Sequence, residues 1–457
     1  MSEPLLLGAI ADDYTGAADL ASMLREQGLR TGLLFGLQGD SVLGQIEGSF
    51  QALVIALKSR SAPVAAARDE SLRALEQLRR LGARQLYFKY CSTFDSTPEG
   101  NIGPVIDVLM AALDTDFTVA VPALPVNGRT QYQGHLFVGD LLLSESHMRH
   151  HPVTPMTESN LVRHLQSQTA RRVGLIDHHE VRAGAAAIRS AIQRCRDQEV
   201  QIALVDATSD DDLRSIAEAV VDLPLITGGS GLGMTLPAAW GRQGLSGDPE
   251  STAFELEPAT GGVLILSGSC SAATLQQLAI LQEAGGAGLR MDIRQLISGD
   301  ATDLADRLFA ALRLRLQTSA WALVYSSASP EERMETLRAA ATKGIGGAEI
   351  SQRIEWVMGE LARRSVAAGI VDSLIVAGGE TTGAVTQALD VRGVEVGPAL
   401  DPGVPVARSI GPDPVNLVFK SGNFGAPDFF LKALRYLGLS DLGSAMSAGS
   451  RASDGTS

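Results

Sequence analysis

Val376-Ala377-Gly378-Gly379-Glu380-Thr381-Thr382-Gly383 is the stretch on which the fold turns. The apolar run Ser373 to Val376 reads as a short buried strand and Ala384 to Leu389 as a helix, so the glycines fall at a strand-to-helix turn. Open α/β sheets bind ligands at such turns, beyond the carboxyl ends of their strands. Glycines let the backbone approach an anion, Thr381 or Thr382 can cap the helix, and the first-turn N–H groups and helix dipole favour phosphate. A capped turn with no ligand would explain the same residues. The neighbouring motifs tip the balance. Gly262 to Ser271 repeats the pattern of apolar strand, small residues and helix, and Phe419-Lys420-Ser421-Gly422-Asn423-Phe424-Gly425 follows another apolar run. Neither a G-x-x-x-x-G-K-[ST] loop nor a G-x-G-x-x-G fingerprint with its distal acid is present, which argues against a dinucleotide-dependent dehydrogenase.

A chain of 457 residues suits two domains better than one core. The alternation of strand and helix patterns gives an α/β chain of two domains, each a mostly parallel sheet flanked by helices, with a cleft between them. The boundaries expected are 1–240, a Gly/Pro/Ser/Glu-rich linker at 241–260, 261–443, and a Ser/Ala/Gly-rich disordered tail at 444–457. A net charge of −14 argues against nucleic acid and anionic membranes as partners. No run is apolar enough to span a bilayer, and Met1-Ser2-Glu3-Pro4 lacks the basic flank of a signal peptide, so a cytoplasmic protein is expected. Cys91, Cys195 and Cys270 have no paired or metal-like spacing.

From the N-terminus, Leu5 to Ile10 reads as the first strand, ending in Asp12-Asp13 just before a helix that runs to about Gln27. One aspartate suffices to cap that helix; the other is free to accept a proton or bind hydroxyls. Further strands are expected at Thr31 to Phe35, Ala52 to Ala56 and Gln85 to Tyr90, with a helix over Val64 to Leu81. Lys89 stands at a strand end before the polar loop Cys91 to Gly103. Arg129, beside Asn127 and Gly128, suits a bidentate grip on a carboxylate, and a surface ion pair is the competing reading. His147, His150, His151, His178 and His179 are read as solvated helix ends or loops rather than a metal site. Leu223 to Gly233 ends in a further Gly-rich turn, another anion-cradle candidate.

Together these motifs resemble the four-carbon acid sugar kinases, from Leu5 to about Leu437. The resemblance rests on Ala11 to Ala17, Lys89 with Cys91 to Asn101, Val121 to Arg129, Thr227 to Gly231, Ser267 to Ser269, Gly378 to Thr381, and Lys420 to Gly425. The long form of the loop at Cys91 to Thr97 is similar to the 3-oxo-tetronate subgroup. The resemblance implies a sugar-acid-binding N-terminal domain and an ATP-binding C-terminal one, with phosphate passing from ATP to the 4-hydroxyl of a four-carbon acid, a 3-oxo-tetronate. D-threonate or D-erythronate is the alternative acceptor, and a non-catalytic nucleotide-binding regulator is the reading from another class. ATP contacts carry over onto Ser267, Gly378, Gly379, Glu380, Thr381 and Gly422, with Lys420 adding charge and Mg²⁺ accompanying the nucleotide through ligands left unassigned. On the other domain, Lys89, Ser92, Asn127 and Arg129 are expected to bind the acid, and Asp12 or Asp13 to orient or deprotonate its hydroxyl. The partners implied are the sugar acid and ATP, and the sequence leaves a homo-oligomer open.

Overall fold

Five-residue strands whose side chains are all buried, such as Leu7–Ala11 (β1) and Ala52–Ala56 (β3), require cover on both faces, which is the signature of a parallel sheet under helices. Each fully buried Leu, Ile or Val contributes about 1.5–3 kcal/mol, so these runs fix the sheet interior. The computed structural model describes residues 5–151, 153–245, 254, 256 and 261–439. It divides into two units: Met1–Phe254 with Arg392–Gly397, and Glu255–Val391 with Pro398–Ser457.

In the first unit the strands are β1, Thr31–Phe35 (β2), β3, Gln85–Lys89 (β4), Thr118–Val121 (β5), Val173–Ile176 (β9), Ile202–Val205 (β10) and Leu225–Gly228 (β11). They lie in the order β2-β3-β1-β4-β11-β5-β10-β9, all parallel. A late segment joins this sheet: Gly393 to Val396, in strand Gly393–Asp401 (β16), pairs antiparallel with β2. A separate antiparallel sheet comprises Arg129–Tyr132 (β6), His135–Val138 (β7) and Leu141–Leu142 (β8). The main-sheet register aligns Ala11 with both Ala56 and Lys89, and Lys89 with Gly228. The residues that follow β1, β3, β4 and β11 therefore emerge along one sheet edge.

The second unit contains Gly262–Ser267 (β12), Leu289–Arg290 (β13), Trp321–Tyr325 (β14), Val371–Ala377 (β15) and Asn416–Lys420 (β18) in the parallel order β13-β14-β12-β15-β18. Val404–Ser409 (β17) runs antiparallel beside β18. Ser267 aligns with Tyr325 and Ala377, and Ala377 with Lys420, so three small-residue turns leave the same edge.

Several sequence expectations need adjustment. The helix after Gly378 begins at Gly379, not Ala384, and its N-cap is Gly378 with no side-chain cap; Thr381 and Thr382 lie inside its first turn. The helix from Ser230 runs to Arg242, into the start of the expected linker. Most of the remaining linker, and the tail at 444–457, lie outside the described residues. No described helix is long and apolar enough to cross a membrane.

Candidate functional site

At the edge of the first unit, Asp12 and Asp13 divide two tasks. Asp13 caps helix Tyr14–Glu26, its Oδ1 accepting from the Gly16 amide at 3.0 Å. Asp12 is buried, and both its oxygens accept from Arg60: Nε to Oδ2 at 3.0 Å and Nη2 to Oδ1 at 2.8 Å. Arg60 Nη2 also lies 2.8 Å from Asp13 Oδ1, and Nη1 lies 3.7 Å from Asp95 Oδ2. One guanidinium thus ties together three carboxylates.

Backbone geometry delivers Arg60 to this position. The Ser59 and Arg60 amides both donate to the Asp12 carbonyl, at 3.0 and 3.1 Å, and Asn101 Nδ2 holds the Ser59 and Ala62 carbonyls at 2.7 and 2.8 Å. Burial raises the Asp12 pKa, and hydrogen bonding and charge from Arg60 oppose that rise. Burial pulls the Arg60 pKa down, but Asp12 and Asp13 outweigh it and drive it above the usual guanidinium value.

Lys89 is 3% exposed rather than a solvated side chain, and its ammonium packs at the start of helix Tyr14–Glu26. A Cβ on Gly16 would lie 2.6 Å from Lys89 Nζ. Among the described residues Lys89 has no carboxylate within ion-pairing distance and no side-chain hydrogen bond. This buried ammonium feels the charge of Asp12 without forming an ion pair with it, so its donors are open to an anion. Ser92 is half-buried, and its backbone lies near Gly229. Asn127 is exposed and ends a short 3₁₀ turn that leads into β6. Arg129 donates from Nη1 to the Asn127 carbonyl, while its buried Nε has no partner among the described residues.

In the second unit the three turns interlock. The Gly268 and Ser269 amides donate to the Ala377 carbonyl at 3.1 and 3.2 Å, and the Gly378 amide donates to the Lys420 carbonyl at 2.9 Å. Thr274 Oγ1 donates to the Gly422 carbonyl at 2.9 Å, and Ser271 Oγ bonds the same oxygen. Gly378 adopts φ +126°, in a region that side-chain-bearing residues rarely enter. A Cβ on Gly268 would collide with Thr381 Oγ1, so the turns approach as closely as glycine permits. The first turn of helix Gly379–Ala388 remains open. Gly379 and Glu380 are exposed, nothing lies within 4 Å of a Cβ built on Gly379, and the amides of residues 379–381 have no acceptor among the described residues.

Ser267 and Lys420 sit deeper. The buried Ser267 hydroxyl lies 3.0 Å from that of Ser327. Lys420 is 1% exposed and donates to Thr274 Oγ1 at 2.9 Å and to the carbonyls of Ser421 and Gly422 at 3.1 and 3.0 Å. Burial lowers its pKa to about 8.

The Gly-rich turn after β11 differs from a cradle. Cβ atoms on Gly229 and Gly231 would lie 2.6 and 2.5 Å from the Pro122 and Ala123 carbonyl oxygens, and one on Gly228 would collide with the Val121 carbonyl. Its glycines serve close backbone packing. His178 likewise departs from the solvated reading: it is largely buried, with Nε2 3.3 Å from Asp212 Oδ2. Among the described residues no three His, Cys, Asp or Glu side chains gather as a metal site.

Two family models match the chain in order, a sugar-binding N-terminal domain over residues 7–236 and a nucleotide-binding C-terminal domain over 264–430. Relatives named 3-oxo-tetronate kinase are 46% identical in Pseudomonas fluorescens and 47% identical in Cupriavidus necator, covering 94% and 95% of this chain and 97% of each relative. The chain belongs to the four-carbon acid sugar kinase family. A crystal structure of another protein similar to it, from Haemophilus influenzae, superposes with a TM-score of 0.84 at 40% identity, covering 94% of this chain and all of that one. Within this kinase chain the residue that sequence reading passed over is Arg60. Its signal was available: it lies four residues beyond the end of β3, a direct neighbour of β1.

Proposed function

We propose that the chain is a 3-oxo-tetronate 4-kinase, transferring the γ-phosphoryl group of ATP to the terminal hydroxyl of a 3-oxo-tetronate. The observation that carries phosphoryl transfer is the open helix start at Gly379–Thr381, where unpaired amides and the dipole favour a polyphosphate. The acceptor follows from relatives bearing that name over nearly their whole length. These names do not favour threonate or erythronate, the alternative acceptors.

Phosphoryl transfer asks the protein mainly to position reactants and stabilise spreading negative charge. On this reading residues 261–443 bind ATP: Gly378, Gly379, Glu380, Thr381 and Gly422 line the phosphates, and Ser267 and Lys420 shape the turns behind them. Lys420 adds positive charge from within, because its donors are held by Thr274 and by the Ser421 and Gly422 carbonyls. Mg²⁺ belongs with the nucleotide, and the residues fit: Glu380 is exposed in the first turn and Thr382 Oγ1 is buried with no partner among the described residues. One or two carboxylates with phosphate oxygens and water commonly hold this ion, which would neutralise charge on the phosphates.

Residues 1–240 would bind the acid. Lys89, with Ser92, Asn127 and Arg129, recognises its carboxylate and oxygens. Asp12 is saturated by Arg60, whereas Asp13 Oδ2 has no partner among the described residues. Asp13 Oδ2 is therefore the atom that takes the proton of the attacking hydroxyl, with Asp12 fixing Arg60 beside it. We place the protein in the cytoplasm on its acidic balance and soluble substrates.

ATP consumption should be measured with the 3-oxo-tetronates, D-threonate and D-erythronate. The expected result is turnover with a 3-oxo-tetronate at least about tenfold more efficient than with either non-oxidised acid. Equal efficiency would remove the subgroup assignment, and ATP binding without turnover on any acid would favour a regulator.

A further inference from the structure

The loop between β4 and helix Ile102–Ala112 holds an uncommon backbone. Phe94 adopts φ +55°, a costly conformation for a side-chain-bearing residue that persists only where its surroundings impose it. Thr93, Phe94, Asp95 and Ser96 are all buried. One face of this loop meets the site already described: Thr93 Oγ1 donates to Asp95, and Asp95 Oδ2 faces Arg60.

The other face rests on His164 and Gln168, at and just beyond helix Leu161–Gln166. The Phe94 ring meets the His164 ring edge-on at 5.9 Å and the Tyr90 ring at 5.2 Å. Gln168 Nε2 donates to Ser96 Oγ at 2.6 Å and to the Thr97 carbonyl at 2.8 Å, while its Oε1 accepts from the Gly103 amide at 3.0 Å. Ser96 Oγ therefore already accepts a hydrogen bond from Gln168, and its own hydrogen is free to point at His164 Nε2, 3.2 Å away. That bond requires an unprotonated Nε2. Burial lowers the His164 pKa, in keeping with a neutral ring.

We propose that His164 is a positioning residue for the sugar-acid site: its ring braces Phe94, its Nε2 accepts the Ser96 hydroxyl, and together these contacts hold Asp95 toward Arg60. The inference rests on the reading that the first unit binds the acid. It adds a residue that touches neither substrate nor the reacting atoms.

Full-length His164→Phe keeps a ring against Phe94 and removes the acceptor, Ser96→Ala removes the donor, and His164→Gln restores an oxygen acceptor. Steady-state kinetics with 3-oxo-tetronate and ATP, together with amide hydrogen exchange over residues 93–100, test the assignment. His164→Phe and Ser96→Ala should each raise the KM for the acid about tenfold and leave the KM for ATP within about twofold. The double variant should be no worse than either single one, and His164→Gln should recover part of the loss. Exchange over 93–100 should quicken in His164→Phe. An unchanged KM for the acid, or equal rises in both KM values, would overturn the proposal. If the wild-type protein phosphorylates no acid, the kinase reading fails separately; exchange then decides, and a 93–100 segment as protected in His164→Phe as in wild type overturns the role of His164.

Discussion

The turns that follow β11 and β15 look alike as sequence and differ as structures. Thr227-Gly228-Gly229-Ser230-Gly231 and Ala377-Gly378-Gly379-Glu380-Thr381 both carry an apolar strand through paired glycines into a helix. In the first, the glycines press on the carbonyls of Val121, Pro122 and Ala123, the helix start is buried, and Ser230 bonds Asp19. In the second, Gly379 and Glu380 face outward and Gly379 would have room for a side chain. Similar local sequence therefore yields a packed turn or an open helix start according to what the neighbouring strand places opposite. β5 runs beside β11 and closes that turn with its own exit backbone, whereas the segments beside β15 leave the Gly379 amides uncovered.

The sharpest way to break this contrast is Gly228→Ala. Its Cβ meets a backbone carbonyl that cannot swing aside, so a loss of about 3 kcal/mol in urea unfolding is expected, with the KM for ATP unchanged in the folded fraction. Next is Gly379→Asp, which adds negative charge at an open position. Its unfolding midpoint should match wild type while the KM for ATP rises on the order of 10–100-fold, or about 1.4–2.8 kcal/mol. A variant at 379 that unfolds the protein, or one at 228 that leaves it stable, would reverse the assignments.

The smallest effect concerns Lys420, behind the open turn. Its folded pKa of about 8 lies below the ordinary lysine value of 10.5, so between these pH values the unfolded chain binds more protons. Stability should therefore rise with pH across that window, and Lys420→Met should flatten the rise in urea titrations. A slope identical in both proteins would show that Lys420 does not carry this linkage.

Much of the framework was legible because it is written locally. β2 and β3 occupy the stretches expected from apolar runs, and the helix over Val64–Arg80 ends within a residue of its expected close. What was not legible depends on partners distant in sequence. The open or closed state of a Gly-Gly turn depends on a neighbouring strand or turn, and Thr381 and Thr382 became helix interior because Gly378, at φ +126°, already starts the helix. Arg60 reaches Asp12 only because β1 and β3 are parallel neighbours in register, and His164 reaches Ser96 across 68 residues. The pairing of Gly393–Val396 with β2 brings together segments more than 350 residues apart, a contact that no window on the sequence reveals.

The central claim is that ATP phosphates rest on the uncovered amides of the second unit and the acid on the charged edge of the first. A crystal structure of the full chain with a non-hydrolysable ATP analogue tests it most directly. Phosphate oxygens are expected within hydrogen-bonding distance of the Gly379–Thr381 amides and beside Gly422. Phosphates bound instead against Lys89 and Asp13, with the Gly379 turn empty, would contradict it.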